Sequence, residues 1–155
     1  MNTADQNVFT LDTAFQRRWN MRQIENNFDK SEHSKDIIAG TKVSWGVFAT
    51  VINDMVIDIN VDMASSEDKR LGTYFARKKE LEVGRFSEKV LKYLWDDAFK
   101  MDKTAIFNEN CKSLEDVVIT YETATSDKLA AVLRMSVYEK MLSKMQQKKT
   151  DNNEN

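Results

Sequence analysis

Two pairs of adjacent cations carry side chains suited to phosphate chemistry. Arg17 and Arg18 close a short segment that begins at Asp12, and Lys69 and Arg70 stand in a mixed charge run just before Gly72. A guanidinium is planar and permanently charged, so an arginine at the tip of a rigid element can reach across a subunit boundary and offset charge on a phosphoryl group. Ahead of the first pair, Asn2, Thr3 and Asp5 bring an amide, a hydroxyl and a carboxylate into a polar cluster able to meet one small ligand or water. A plainer reading stands beside each of these. Cations at the end of a short helix offset its negative pole, and residues 65–79 also read as a surface turn pinned by Tyr74 and Phe75. Residue type leaves both readings open.

The elements that would hold the first pair are short. Asp12 suits an N-cap, because its carboxylate accepts the free N–H groups of a first helical turn. Leu11, Phe15 and Trp19 then recur every four residues on one side, and Trp19, Met21, Gln23 and Ile24 alternate weakly, as a short strand would.

Met1-Asn2-Thr3-Ala4-Asp5, followed by Leu11-Asp12-Thr13-Ala14-Phe15-Gln16-Arg17-Arg18-Trp19, resembles the second half of a AAA+ ATPase module of the McrB type, from modified-cytosine restriction systems. In that family the first segment ends the sensor 1 strand and the second carries the arginine finger. The resemblance implies that Asn2 helps orient the attacking water and that Arg17 or Arg18 is the finger. Gln16, Phe15 and Trp19 depart from the family's Arg, Leu and Phe. The charged run, Gly72, Tyr74 and Phe75 resemble a segment of the McrB-type lid, which makes Lys69 and Arg70 implied nucleotide or interface contacts.

The rest of the chain reads as helical. Proline is absent, where average usage of roughly 5% would give about 8. Residues 29–43 read as a linker, in which His33 is a solvated surface histidine with no second ligand at metal spacing. Ser44 suits the cap of a helix to Asn60 whose Phe48, Ile52, Met55 and Ile59 form a stripe. Met55-Val56-Ile57-Asp58 mimics a Walker B strand, yet its helical periodicity makes that chance. Phe86 to Met101 is the clearest amphipathic helix and resembles the later McrB-type lid helix. Ser113 and Asp116 form a capping box for a helix from Leu114 to Tyr121. Ser126 is the expected cap of a last helix lined by Leu129, Leu133, Val137, Met141 and Met145. Residues 146–155 read as a frayed polar tail.

Composition sets the outer bounds. The chain has 155 residues, 41% hydrophobic and 31% charged, with a net charge of -2, so no global basic field supports unaided nucleic-acid binding. One cysteine, Cys111, excludes an internal disulfide, and no histidine or second cysteine stands near it to make a catalytic thiol. The polar N-terminus shows no signal peptide, and the most apolar window, Val43 to Val61, is broken by Asn53, Asp54 and Asp58. The expected setting is the cytoplasm, without a membrane. Gly40, Gly46, Gly72 and Gly84 are isolated and none directly precedes a lysine, so the phosphate-cradling P-loop is missing.

The fold expected is mainly α: residues 1–28 as a small α/β remnant of the AAA+ core, 29–43 as linker, 44–145 as a helical AAA+ lid bundle and 146–155 as tail. The function implied by the resemblance is that of a C-terminal fragment of a McrB-like NTPase, supplying sensor 1 and an arginine finger in a ring. The nucleotide would be ATP or GTP with Mg2+, not bindable in full by this chain alone, and no separate metal site is expected. Implied partners are a P-loop-containing half or neighbouring AAA+ subunits, a nuclease subunit and, indirectly, DNA. The competing expectation is a small helical protein-interaction module with no nucleotide role.

Overall fold

The computed structural model describes residues 25–59 and 69–151. These residues form a mainly helical body with no sheet. Asn2, Arg17 and Arg18, with the expected short helix and strand around them, lie outside the described residues.

Helix α1, Trp45–Ile59, is central. Trp45, Phe48, Ala49, Ile52 and Val56 are fully buried on it, as the helical spacing requires. Ser44 was expected to cap this helix with its side chain. Instead, its hydroxyl donates to Met145 Sδ at 3.4 Å, while the Trp45 N–H bonds the Asp36 carbonyl at 2.9 Å.

Helix α2, Val83–Phe86, continues through wide turns at Ser87–Leu91 and Leu94–Ala98, the last closed by the Phe99 N–H on the Leu94 carbonyl at 2.9 Å. The wide turns let Val90 and Leu91, Leu94 and Trp95, and Ala98 and Phe99 all face inward. A bond to the fifth preceding residue is the signature of a π-turn.

Helix α3, Leu114–Thr123, begins with the expected box: Asp116 N–H donates to Ser113 Oγ at 3.0 Å, and Ser113 N–H to Asp116 Oδ2 at 2.8 Å. These bonds hold the Asp116 carboxyl below its usual range.

The last helix differs from expectation. It is two helices, α4, Lys128–Val132, and α5, Met135–Asp151, with Asp127 rather than Ser126 as the cap of α4. Leu133 leaves the helix because it pairs with Phe107 in an isolated antiparallel bridge, where Arg134 N–H donates to the Ile106 carbonyl at 2.8 Å. The apolar stripe nonetheless stays buried across the break. Helix α5 also runs through Asp151, where the tail was expected to fray from residue 146.

Residues 29–43 pack against the body. Ile38 and Val43 are fully buried, Ile37 bridges Ser44, and a short 3-10 turn, Glu32–Lys35, lies on α1. Gly46 permits this approach, since a Cβ there would sit 2.7 Å from Ser34 Cβ and 2.9 Å from the Ser34 carbonyl oxygen.

A chain of aromatic rings links the pieces. Phe28 meets Trp45 edge-on at 6.5 Å, Trp45 stacks on Phe48 at 6.0 Å, Phe48 meets Phe86 at 5.3 Å, and Phe86 stacks on Tyr121 at 5.5 Å. Beyond simple burial, each such pair contributes about 0.5–1.5 kcal/mol. The N-terminal stretch, α1, α2 and α3 are thereby joined through one row of side chains.

Candidate functional site

Of the residues singled out for chemistry, Lys69 and Arg70 lie among the described residues, at the start of an irregular segment of bends and turns. Its backbone is held almost wholly by side chains. Asn53 donates to the Leu71 carbonyl at 2.9 Å and accepts from the Leu71 N–H at 2.7 Å. Asn26 donates to the same carbonyl at 2.7 Å and accepts from the Thr73 N–H at 3.0 Å and the Thr73 hydroxyl at 3.1 Å. Trp45 Nε1–H bonds the Thr73 carbonyl at 2.9 Å, and the Tyr93 hydroxyl bonds the Lys69 carbonyl at 3.0 Å.

Two amides therefore do for Leu71 and Thr73 what a neighbouring strand would do. The need is physical, because Leu71 is fully buried and its backbone groups have lost water. The segment was expected to be pinned by Tyr74 and Phe75. Only Phe75 serves, packing on Tyr93 at 4.8 Å, while Tyr74 is 71% exposed.

His33 completes the frame. Expected at the solvated surface, it is largely buried, with Nδ1 2.8 Å from Asp36 Oδ2 and Nε2 against the Ala76 carbonyl. Both ring nitrogens thus face oxygen atoms of the 3-10 turn and of the segment after Thr73. Just beyond, Arg77 N–H and Lys89 Nζ donate to Glu80, in that order of effect holding its carboxyl below the ordinary range.

Asn26 and Asn53 are the positioning residues that sequence reasoning missed. One signal was available for Asn53. It continues the Gly46, Ala49, Val56 face of α1 at helical spacing, so its burial followed from the same periodicity as its apolar neighbours. Asn26 had no such signal, because its partners lie 45 and 47 residues away.

Arg70 opens onto a groove of about 350 Å3 whose walls come from the N-terminal stretch, α1 and α5. Three cations there, Arg70, Lys144 and Lys148, face three carboxylates, Glu25, Asp29 and Asp54. Lys144 pairs with Asp54 at 2.8 Å and Lys148 with Asp29 at 2.6 Å. The groove has no net charge to draw in a polyphosphate. No group of three His, Cys, Asp or Glu side chains suited to a metal occurs among the described residues.

Cys111 is buried beside Trp95 and Lys103. Burial, and then the charge of Asp116, push its thiol up, the reverse of what a nucleophile needs. No helix among the described residues is long and apolar enough to cross a membrane.

The chain is similar to the Type II restriction enzyme BsuMI component YdiS of Bacillus subtilis (strain 168), with 33% identity over 129 residues, covering 79% of this chain and 36% of that protein. The chain is thus related in sequence to a component of a restriction system, of whose length it spans little more than a third. No protein-family model and no solved structure matches it.

Proposed function

We propose that this chain is the helical part of a nucleotide-driven restriction component of the McrB type, working in the cytoplasm beside a nuclease subunit that acts on DNA. The observation that carries the proposal is the similarity over 129 residues to a restriction-enzyme component. The order of the two N-terminal segments adds to it. In this reading Asn2 orients the attacking water, and Arg17 or Arg18 meets the γ-phosphate of ATP or GTP held by a P-loop-bearing neighbour. Lys69 and Arg70, set just before the Leu71–Thr73 backbone that Asn26 and Asn53 fix, contact that neighbour rather than the nucleotide, since the groove beside Arg70 is neutral.

The test is phosphate release from ATP and from GTP by the purified chain, alone and mixed with a P-loop-bearing restriction component of the same genome. Hydrolysis is expected only in the mixture. Loss of a finger costs on the order of 10³-fold or more, so Arg17→Ala or Arg18→Ala should abolish it. A mixture of well-folded proteins that stays inactive, or that tolerates both substitutions, refutes the reading. One observation favours a second reading, a helical interaction module with no nucleotide role. The cations Lys144 and Lys148 are engaged with carboxylates of the same chain, as in a surface built to be stable rather than to bind anions.

A further inference from the structure

A second groove lies on the other side of Asp29 and Lys148 and differs from the first in charge. It encloses about 540 Å3, within the range of small-molecule sites, roughly 300–1,000 Å3. Its apolar walls are Phe28, Ile37 and Met145, and Ile37 is 52% exposed. Three lysines, Lys35, Lys148 and Lys149, face a single carboxylate, Asp29, which Lys148 engages. Lys35 and Lys149 are exposed and have no ion-pair partner among the described residues.

The polar wall is unusual in what it lacks. Ser31, Ser34 and Ser44 line the groove with 9%, 6% and 8% exposure, yet none has a nitrogen or oxygen partner for its hydroxyl among the described residues. The Ser34 oxygen is buried without any partner, and the Ser44 hydroxyl settles for the Met145 sulfur at 3.4 Å. A thioether is a weak acceptor, and an unpartnered buried hydroxyl is costly. The Ser34 oxygen is closed off from the groove, whereas the Ser44 hydroxyl, bonded only to sulfur, remains available to an added acceptor.

We propose that this groove binds a small amphiphilic anion, a phosphate monoester or carboxylate carried on an apolar body. The anionic end lies at Lys35 and Lys149 with the Ser44 hydroxyl as a donor, and the apolar body rests on Ile37, Phe28 and Met145. Two separated lysines on an apolar floor suit one compact anionic group rather than a polyanion backbone, which needs a continuous row of cations. The inference is independent of the nucleotide reading, because neither Arg17, Arg18 nor Asn2 takes part.

The experiment is an amide chemical-shift titration of the full chain with phenyl phosphate and with benzoate, with inorganic phosphate and benzyl alcohol as the two half-ligands. Phenyl phosphate or benzoate is expected to shift amides of residues 31–37, 44 and 145–149 with millimolar affinity, more tightly than either half-ligand. Lys35→Gln and Lys149→Gln should each weaken binding about five-fold, and Ile37→Ala should weaken it while leaving inorganic phosphate unaffected. All three side chains are exposed, so an unchanged urea midpoint will show that the variants fold. Absence of shifts at these residues at 10-fold the expected dissociation constant, equal binding of benzyl alcohol, or indifference to both lysine substitutions overturns the proposal. Equal binding of inorganic phosphate also overturns it, since the apolar floor would then contribute nothing.

Discussion

Replacing Asn53 by alanine tests whether two amides really substitute for a strand. The substitution removes the acceptor of the Leu71 N–H and one of the two donors to the Leu71 carbonyl. Asn53 is only 7% exposed and Leu71 is fully buried, so water cannot take the place of the lost N–H partner. An orphaned buried donor costs about 1–3 kcal/mol, and the lost bond at the carbonyl about 0.5–1.5 kcal/mol. Together they give a destabilisation of about 2–4 kcal/mol, a large part of the roughly 5–15 kcal/mol that holds a domain folded. Asn26→Ala should cost less, about 0.5–1.5 kcal/mol, because its site is partly open and water can bridge the Thr73 groups. The double variant should exceed the sum of the two by about 1 kcal/mol or more, since only then does the Leu71 carbonyl lose both donors. Asn53→Asp adds a sign. One carboxylate oxygen would face the Leu71 carbonyl, so the folded state favours the protonated form and raises its pKa above the unfolded value, roughly 3.9. Its stability is then fully present below that value and falls as pH rises above it. Urea unfolding followed by tryptophan fluorescence reads all four variants, and Trp45 itself bonds Thr73. An Asn53→Ala cost below about 1 kcal/mol, or a double variant additive within about 0.3–0.5 kcal/mol, would refute the clamp.

Two buried tyrosines should answer oppositely to loss of the hydroxyl. Tyr121 is fully buried with no partner for its oxygen, so Tyr121→Phe should hold or raise the urea midpoint, whereas Tyr138→Phe should lower stability by up to about 1 kcal/mol because it removes the phenol's polar interaction with Asp127. Burial first, then the neighbouring Asp127 carboxylate, push Tyr138 up to about 12 from 10.0. A folded pKa above the unfolded one means that the contribution is complete below pH 10 and is lost between about 10 and 12, which urea midpoints across that range in wild type and Tyr138→Phe will show. Gly46→Ala places a Cβ 2.9 Å from a backbone oxygen and should cost about 1–3 kcal/mol in the same assay. Lys128→Met keeps the stem but removes three bonds, to the carbonyls of Tyr121, Glu122 and Ala124 at 3.1, 2.8 and 3.0 Å. The cost expected is about 1–2 kcal/mol, and amide exchange should quicken at the end of α3 before it does in α1.

What could be read along the chain was what repeats locally. Helix α1 announced itself through Phe48, Ile52 and Met55, and the Ser113–Asp116 box through a three-residue spacing. The break between α4 and α5 did not, since Leu129, Leu133, Val137 and Met141 keep their spacing of four across it. What bends the chain there is the pairing of Leu133 with Phe107, a contact distant in sequence. Residues 29–43 looked like a linker for the same reason: their polar composition hides that Ile38 and Val43 are buried and that Gly40, at φ +74°, passes against Lys128. At the candidate site, residue type picked out Lys69 and Arg70 but not the amides that hold Leu71 and Thr73 beside them: periodicity signals that Asn53 is buried, yet nothing local names the distant backbone that it or Asn26 clamps.

The two grooves show how charge placement, rather than charge content, sets what this surface can do. They share Asp29 and Lys148, lie on adjacent sides of α5, and both include Phe28. In the groove beside Arg70 the two lysines are each paired with a carboxylate, and exposed pairs such as Lys144–Asp54 contribute about 0–1 kcal/mol at most. Their principal effect is to cancel the local field. Around Lys35 and Lys149 no such matching exists, although the chain as a whole carries a charge of -2. An anion meeting this protein would therefore be sorted between two neighbouring grooves by electrostatics before shape is tested. That sorting weakens as salt rises, because a Debye length of about 10 Å at 0.1 M is comparable to the separation of neighbouring side chains on such a face. The residue that joins the grooves is Lys148, and its bond to Asp29 keeps one cation from serving either.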